Sequence, residues 1–426
     1  MCELCGHQLL HLPLYGMHNT LWEGMMASTV AFKLRLAKQY YIPTSCHFLC
    51  GPKEDDFPVN NSQRSLSQRW QLVARAMEKS HHQFPHEIRD VEESTNAELL
   101  EYFKGERTGF VQVGSEGYFF PIKFKDEAQK YYNFEARPDD VWIVTVPRSG
   151  TTWTQELIWL LANGLDFEQA QRRPLTERFP FFEFPLFMHS QVKAELLEEN
   201  HESAGALEFI EKISRPGYEV LSEVPSSERR FIKTHFPFSL LPPSVLQNKC
   251  KIVYVARNPK DVAVSYYHLN RLFRTQGYVG DFERFWRYFQ RGLNPWLPYY
   301  SHVNEAQNHS HLSNVLFLRY EDMLQDLPGT VQSIGSFLDC RPSAEDLDKL
   351  LDHLSIRNFR ENKSVNMHEM ASVGILNKNE AGFVRSGGGE GAKNGTHAQK
   401  EFVDNPKLLK SANEWIEQNV QCLRTL

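Results

Sequence analysis

The chain has 426 residues, of which 41% are hydrophobic and 12% aromatic, enough for a large globular core. Its net charge of −6 argues against a nucleic-acid partner, so any positive charge that binds anions has to be local. Seven cysteines in so long a chain do not indicate a disulfide framework. The first residues lack the pattern of a signal peptide, and no window reaches the roughly 18 apolar residues of a membrane-spanning helix. We therefore expect a cytoplasmic protein without a membrane anchor.

The N-terminal segment, residues 1–95, lacks the motifs and the regular alternation of apolar runs found in the rest of the chain. It is predicted to be a poorly ordered or accessory extension. Cys2, Cys5, Cys46 and Cys50 leave a zinc site as an alternative to free cysteines, although the distance between the two pairs is unfavourable. Residues 63–79 have the pattern of a short surface helix. Residues 96–426 are predicted to form one domain.

Apolar runs of strand length alternate with helical patterns along this second segment. The predicted strands are 141–146, 230–235, 251–256 and 314–319. The predicted helices are 153–162, 195–213, 259–272, 282–290, 296–307, 330–338, 344–354 and 406–420. This alternation predicts a single α/β domain with a central, mainly parallel β-sheet flanked by helices.

A short polar loop follows the first of these strands. After Pro147 the chain reads Arg-Ser-Gly-Thr-Thr, and a buried helix comes directly behind. A loop between a strand and a helix N-terminus collects N–H groups and the positive end of the helix dipole, which together bind anions. The loop is P-loop-like but lacks the second glycine and the terminal Gly-Lys of a Walker A sequence. An ordinary βα turn is the alternative.

Polar side chains stand at or just beyond the carboxyl ends of the predicted strands. They are Arg148, Lys233, His235, Arg257 and Tyr320. Ligands of parallel α/β folds bind beyond the carboxyl ends of the strands, so we expect these five side chains to share one crevice.

The motifs around these residues resemble those of cytosolic sulfotransferases that use 3′-phosphoadenosine 5′-phosphosulfate (PAPS). Within that family the chain resembles an insect-like member. The segment Pro147-Arg-Ser-Gly-Thr-Thr-Trp153 resembles the family's 5′-phosphosulfate loop. The segment Lys233-Thr-His235 resembles the end of its catalytic strand. The segment from Arg257 to Ser265 resembles the family's 3′-phosphate motif. The segment Arg319-Tyr320-Glu-Asp resembles the family's adenine-contacting segment. The segment Phe383-Val-Arg385-Ser-Gly387 resembles the loop that closes on the 3′-phosphate. The resemblance covers residues 96–426.

The resemblance implies sulfuryl transfer from PAPS to the hydroxyl of a small hydrophobic phenol or alcohol, with no metal ion. His235 would be the general base, and Lys233 and Arg148 would neutralise charge on the leaving side. Phe181 and Phe184 would line the acceptor pocket. The residues that would bind PAPS are Arg148, Ser149, Gly150, Thr151, Thr152, Trp153, Arg257, Ser265, Tyr320, Ser355, Arg385, Ser386 and Gly387.

Two positions depart from the family pattern. Arg148 stands where lysine is frequent, and Ile356 stands where an aromatic ring commonly stacks on adenine. Residues 393–401 match the dimer segment only in part, so a homodimer is left open.

Two rival functions are a P-loop kinase and a non-catalytic nucleotide-binding protein. A kinase needs an acid to hold Mg²⁺, commonly at a strand end, where this chain has Arg257. Retention of both Lys233 and His235 argues against a protein that only binds nucleotide.

Overall fold

The structure is a computed structural model that describes residues 82–380, 382–384 and 400–424. They belong to one compact unit, Leu72–Leu426. Its strands are β1 (Ile88–Asp90), β2 (Phe110–Val113), β3 (Tyr118–Pro121), β4 (Val141–Thr145), β5 (Phe231–Thr234), β6 (Lys251–Ala256) and β7 (Val315–Arg319). Strands β5-β4-β6-β7 form a four-stranded parallel sheet in that order, which confirms the predicted α/β class.

Helices cover both faces of the parallel sheet. In chain order they are α1 (Glu93–Tyr102), α2 (Phe124–Tyr132), α3 (Thr151–Ala162), α4 (Phe167–Arg172), α5 (Leu175–Arg178), α6 (Ser190–Glu199), α7 (Ala204–Ile213), α8 (Gly217–Glu223), α9 (Pro243–Gln247), α10 (Pro259–Leu272), α11 (Phe282–Gln290), α12 (Tyr299–His309), α13 (Tyr320–Gln325), α14 (Leu327–Phe337), α15 (Ala344–His353), α16 (Ile356–Glu361), α17 (His368–Ser372), α18 (Lys400–Val403) and α19 (Pro406–Arg424). Two short 3₁₀ helices cover Phe184–Phe187 and Phe238–Leu240. No helix within the described ranges is long and apolar enough to cross a membrane.

The burial of the central strand β4 on both faces explains why the sheet can be predicted from the sequence. All five of its side chains are buried, with Trp142 and Val144 in one hydrophobic cluster and Val141 and Ile143 in another. Successive residues of a strand face opposite sides, so a strand buried on both faces becomes a continuous apolar run. Each such side chain contributes about 1.5–3 kcal/mol when fully buried.

Two parts of the fold differ from the sequence-based expectation. The antiparallel sheet β1-β2-β3 was not predicted, since its strands are only three or four residues long. The helix predicted over 195–213 is two helices, α6 and α7. The break falls where Ser203 caps α7, its side chain accepting from the backbone N–H of Ala206.

Residues 82–95, assigned from the sequence to the extension, pack with the domain in the structure. The β1 strand pairs with β2, and the Phe84 ring lies edge-on to Phe124 with centroids 5.8 Å apart. The backbone N–H of His82 donates to Asn133 Oδ1 at 2.7 Å. Residues 1–81, with the cysteines considered for zinc and the helix predicted at 63–79, lie outside the described residues.

Candidate active site

The loop between β4 and α3 is held in a conformation that requires glycine. Gly150 has φ +99° and precedes the first residue of α3. A Cβ atom there would lie 2.5 Å from Cδ2 of Tyr320, which is the first residue of α13. Arg148 also has a positive φ, +72°, which is uncommon for a residue with a side chain. The close approach of Tyr320 therefore makes glycine necessary at position 150.

The first turn of α3 is available for an anion. Its N-cap is glycine, so no side chain caps the first N–H groups of the helix. The Thr151 hydroxyl is oriented by Thr145, whose Oγ1 lies 2.7 Å from Thr151 Oγ1. N–H groups, a hydroxyl and the positive end of the helix dipole therefore converge at the mouth of this loop.

A cavity of about 770 Å³ opens above the carboxyl ends of the parallel strands. The residues predicted from the sequence that line it are Arg148, Gly150, Thr151, Thr152, Trp153, Phe181, Phe184, Lys233, His235, Arg257, Ser265, Tyr320 and Ser355. Ser149 is not on the cavity wall: its side chain is buried, and its hydroxyl makes no hydrogen bond within the described residues. Arg385, Ser386 and Gly387 lie outside the described residues.

Two arginines are connected at one side of the cavity. Arg148 Nε donates to Ser265 Oγ at 2.8 Å, and Arg148 Nη2 donates to the Phe383 carbonyl at 3.3 Å. Arg257 Nη1 donates to the Arg148 carbonyl at 3.0 Å, while its guanidinium lies 4.4 Å from the centroid of the Tyr320 ring. The Nε of Arg257 is buried and has no hydrogen-bond partner within the described part of the chain. The arrangement suits a phosphate group, which accepts several charge-assisted hydrogen bonds.

The backbone and imidazole of His235 are fixed on three sides. Nδ1 lies 2.7 Å from the Thr145 carbonyl, a contact that assigns the proton to Nδ1 and the lone pair to Nε2. The backbone N–H donates to Glu183 Oε1 at 2.6 Å, and His302 Nε2 donates to the His235 carbonyl at 3.0 Å. Burial first, and then the charge of Lys233, hold the pKa of His235 well below its usual value. The imidazole is therefore neutral and can accept a proton at Nε2.

Glu183 is a buried carboxylate that the sequence analysis did not select. It also accepts hydrogen bonds from Thr234 Oγ1 at 2.8 Å and from Trp296 Nε1 at 3.0 Å, and its side chain is not exposed. Burial raises its pKa to about 7, against the effect of these donors. The available signal was a single acid inside the aromatic run from Phe179 to Phe184.

Lys233 projects from β5 into the same cavity. Its Nζ lies 4.1 Å from the centroid of the Phe181 ring. Burial lowers the pKa of Lys233 to about 8, with Glu183 opposing the shift and Arg148 adding to it. The ammonium is therefore mostly charged at neutral pH and becomes neutral above about pH 8.

The remaining wall beside His235 is apolar. The Phe181 ring is edge-on to the His235 imidazole at 5.1 Å and stacks on Trp296 at 6.0 Å. Side chains from distant segments complete this wall and were missed by the sequence analysis: Leu269, Phe273, Trp296, Met367 and Met370. Phe383, which the sequence analysis named only as part of the 3′-phosphate segment, also belongs to this wall. Their positions follow from the tertiary fold, so no local motif marks them.

The opposite end of the cavity has the residues expected to contact a base. Trp153 and Tyr320 have ring centroids 6.1 Å apart, and Trp153 Nε1 donates to the Leu354 carbonyl at 3.0 Å. Ser355 caps α16, its side chain accepting from the Asn358 N–H, and Ile356 lines the cavity at the position where an aromatic residue was expected.

Among the described residues there is no cluster of three or more His, Cys, Asp or Glu side chains suited to a metal ion.

Known proteins with sequences similar to this chain include sulfotransferases. The sequence model of the sulfotransferase domain matches residues 138–421. The chain is 31% identical over 341 residues to luciferin sulfotransferase of Photinus pyralis, which covers 78% of this chain and 84% of that protein. It is 34% identical over 285 residues to sulfotransferase 1A1 of Canis lupus familiaris, which covers 66% of this chain and 87% of that protein.

Solved structures of retinol dehydratase are also similar to this chain. The complex with retinol and PAP has a TM-score of 0.70 at 35% identity, covering 79% of this chain and 97% of that one. The complex with androsterone and the inactive cofactor PAP has a TM-score of 0.69 at 35% identity, covering 79% of this chain and 96% of that one.

Proposed function

This chain belongs to the sulfotransferase family, and from that premise we propose that it transfers the sulfuryl group of PAPS to the hydroxyl of a small hydrophobic phenol or alcohol. In the proposal, His235 is the general base and no metal ion takes part. The single observation that carries it is the placement of a buried, neutral His235 in the same cavity as the anion-binding loop from Arg148 to Thr152.

The proton of the acceptor hydroxyl would pass to Nε2 of His235. Nδ1 already donates to the Thr145 carbonyl, so Nε2 has the lone pair that a general base needs. As the proton leaves, the acceptor oxygen bonds to sulfur, and the bond between sulfur and the bridging oxygen of PAPS breaks. The products are a sulfate ester and 3′-phosphoadenosine 5′-phosphate, PAP.

Negative charge that develops on the bridging oxygen would be stabilised by Lys233. Its ammonium is desolvated, and a charge interacts more strongly in a buried site than in water. Arg148 is proposed to share this role. Its hydrogen bond to Ser265 also ties it to the group proposed to bind the 3′-phosphate.

The nucleotide would lie between the two ends of the cavity. The 5′-phosphate is assigned to the α3 N-terminus with Gly150, Thr151 and Thr152, whereas Ser149, which lies off the cavity wall, is left out of the assignment. The 3′-phosphate is assigned to Arg257 and Ser265, together with Arg385, Ser386 and Gly387, which follow Phe383 in the sequence and lie outside the described residues. The adenine is assigned to Trp153, Tyr320 and Ser355. The Nε of Arg257, which has no hydrogen-bond partner among the described residues, supports a phosphate at that position.

The acceptor would occupy the apolar wall beside His235. Phe181, Phe184, Trp296 and the two methionines Met367 and Met370 offer almost no polar group to bind a charged acceptor. Flexible methionine side chains adapt to ligands of differing shape. Retinol and androsterone, which the similar structures contain, are hydrophobic alcohols, and we propose acceptors of that class as well as phenols.

The cytoplasm is the proposed location. The homodimer is likewise a proposal, and most of residues 393–401, which match the family's dimer segment in part, lie outside the described residues.

The proposal is tested with labelled PAPS and a panel of phenols and hydrophobic alcohols, read by mass spectrometry. We expect labelled sulfate esters and release of PAP, and no product when ATP replaces PAPS. Phosphoryl transfer from ATP would support the kinase alternative instead. Tight PAP binding without transfer to any acceptor would support the non-catalytic alternative.

A further inference from the structure

A buried charged cluster lies behind the end of the cavity assigned to adenine. Glu156 on α3 and Arg178 on α5 have side chains with no solvent exposure, and Arg178 Nη2 donates to Glu156 Oε2 at 2.7 Å. The other oxygen, Oε1, accepts a hydrogen bond from Nε2 of His353 at 2.8 Å. The His353 side chain is 11% exposed and lies in the last turn of α15.

The arginine neutralises this carboxylate, so the histidine has a different task. A buried carboxylate is stable only with a counter-charge and with hydrogen bonds to its remaining lone pairs. Arg178 supplies the charge and is itself held by the Arg173 carbonyl at 2.9 Å and by the Trp159 ring at 4.7 Å. His353 supplies a hydrogen bond from a different part of the chain. The bond therefore fixes the end of α15 against α3.

The end of α15 leads directly into the cavity wall. The three residues after His353 are Leu354, Ser355 and Ile356, and all three line the cavity. Trp153 Nε1 donates to the Leu354 carbonyl, and Trp153 stands three residues before Glu156 on α3. Residues three apart share one face of a helix, so two neighbouring hydrogen bonds tie this turn to the same face of α3.

We propose that His353 is a positioning residue for the nucleotide. Its hydrogen bond to Glu156 holds the Leu354–Ile356 turn and the Trp153 indole in the geometry that accepts the adenine. His353 touches neither the nucleotide nor the reacting groups, and nothing in the sulfuryl-transfer step depends on it. The inference rests on the proposed assignment of this end of the cavity to adenine. It matters more here because Ile356 replaces the aromatic residue expected at that position.

The test compares His353→Leu with His353→Gln. Leucine cannot donate to Glu156, whereas the amide of glutamine can. For His353→Leu we expect PAP affinity, measured by calorimetry, to fall roughly 10-fold, which is a typical coupling between linked sites. The KM for PAPS should rise by a similar factor, while kcat at saturating PAPS changes less than about 2-fold. In His353→Gln most of the affinity should return.

His309→Leu is the matched control. His309 also lies in the last turn of its helix, α12, but the three residues that follow it do not line the cavity, unlike those that follow His353. Its removal should leave PAP affinity unchanged.

Unchanged PAP affinity in folded His353→Leu would overturn the inference, and so would an equal loss in the His309 control. If His353→Leu does not fold, His353→Gln decides, because a full loss of PAP affinity in that folded variant contradicts the role of the hydrogen bond. Failure of the unaltered chain to bind PAP would refute the proposed function itself, which separates the two failures.

Discussion

Substitution of Glu183 by glutamine removes a buried charge while it preserves the hydrogen bonds around it. Glu183 Oε1 accepts from the His235 N–H and from Trp296 Nε1, and both can be accepted by an amide oxygen. The amide nitrogen can donate to Thr234 Oγ1, since a hydroxyl both donates and accepts. Differences between Glu183→Gln and the unaltered protein therefore report mainly on charge.

The expected effect on stability follows from the raised pKa of Glu183. A rise from the usual 4.5 to about 7 in a fully buried group corresponds to about 3 kcal/mol in favour of the neutral carboxyl. Because the pKa is raised on folding, this stability is full below pH 4.5 and is lost as the pH rises through about 7. Between pH 6 and pH 8 the unaltered protein should lose about 1 kcal/mol of unfolding free energy that Glu183→Gln keeps.

Glu183→Gln is expected to change activity because it changes the pKa of Lys233. The negative charge of Glu183 supports a pKa of about 8 for Lys233, which burial and Arg148 would otherwise lower further. Without that charge the alkaline limb of the profile of kcat/KM against pH should move from about pH 8 to lower pH, by on the order of one pH unit for the loss of a nearby opposite charge. Activity at pH 8 should then fall roughly 5-fold, with little loss at pH 6.

The assays are denaturant unfolding and initial rates with a phenolic acceptor across this pH range. The matched control is Glu305→Gln. Glu305 also accepts three hydrogen bonds, from the Tyr118 hydroxyl and from the N–H and hydroxyl of Ser239, but it is not among the groups that shift the pKa of Lys233. An alkaline limb that stays in place in Glu183→Gln, or that moves equally in the control, would refute the coupling of Glu183 to Lys233.

Three further predictions concern the metal, the domain boundary and the loop. Transfer should be unchanged in excess EDTA, and a loss of activity that Mg²⁺ restores would contradict the metal-free mechanism. A protein that starts at His82 should fold and bind PAP, whereas one that starts at Val91 loses β1 and the Phe84 contacts and should melt at lower temperature, as followed by circular dichroism; equal melting would contradict this boundary. Gly150→Ala should weaken PAP binding at least about 10-fold in calorimetry, because the added Cβ meets the Tyr320 ring 2.5 Å away; unchanged affinity would show that the loop adapts.

The sequence was sufficient to predict the parallel sheet and the residues that follow its strands. The strands β4 and β6 are buried on both faces and therefore appear as continuous apolar runs. The Asn258 cap and Pro259 mark the start of α10, which runs to the predicted end at Leu272. Polar residues at parallel strand ends must share one edge, and the structure brings Lys233, His235 and Arg257 to one cavity.

The sequence was insufficient where partners are far apart in the chain. Glu183 is held by Trp296, which lies 113 residues further along, and His353 bonds to Glu156 across 197 residues. The short strands β2 and β3 lack the length that makes an alternating pattern clear. Such contacts depend on the packed fold, whereas motif reading sees only neighbours along the chain.

The central claim is that His235 takes the acceptor proton, and His235→Ala tests it most directly. The assay compares kcat for phenols of graded acidity, with PAP affinity by calorimetry and Lys233→Ala in parallel. We expect PAP affinity to stay nearly unchanged and kcat to fall by about two to four orders of magnitude. The loss should shrink for phenols that are already ionised, which need no base, whereas Lys233→Ala should impair these acceptors as well. Normal turnover in His235→Ala, or a loss confined to PAP affinity, would contradict the account.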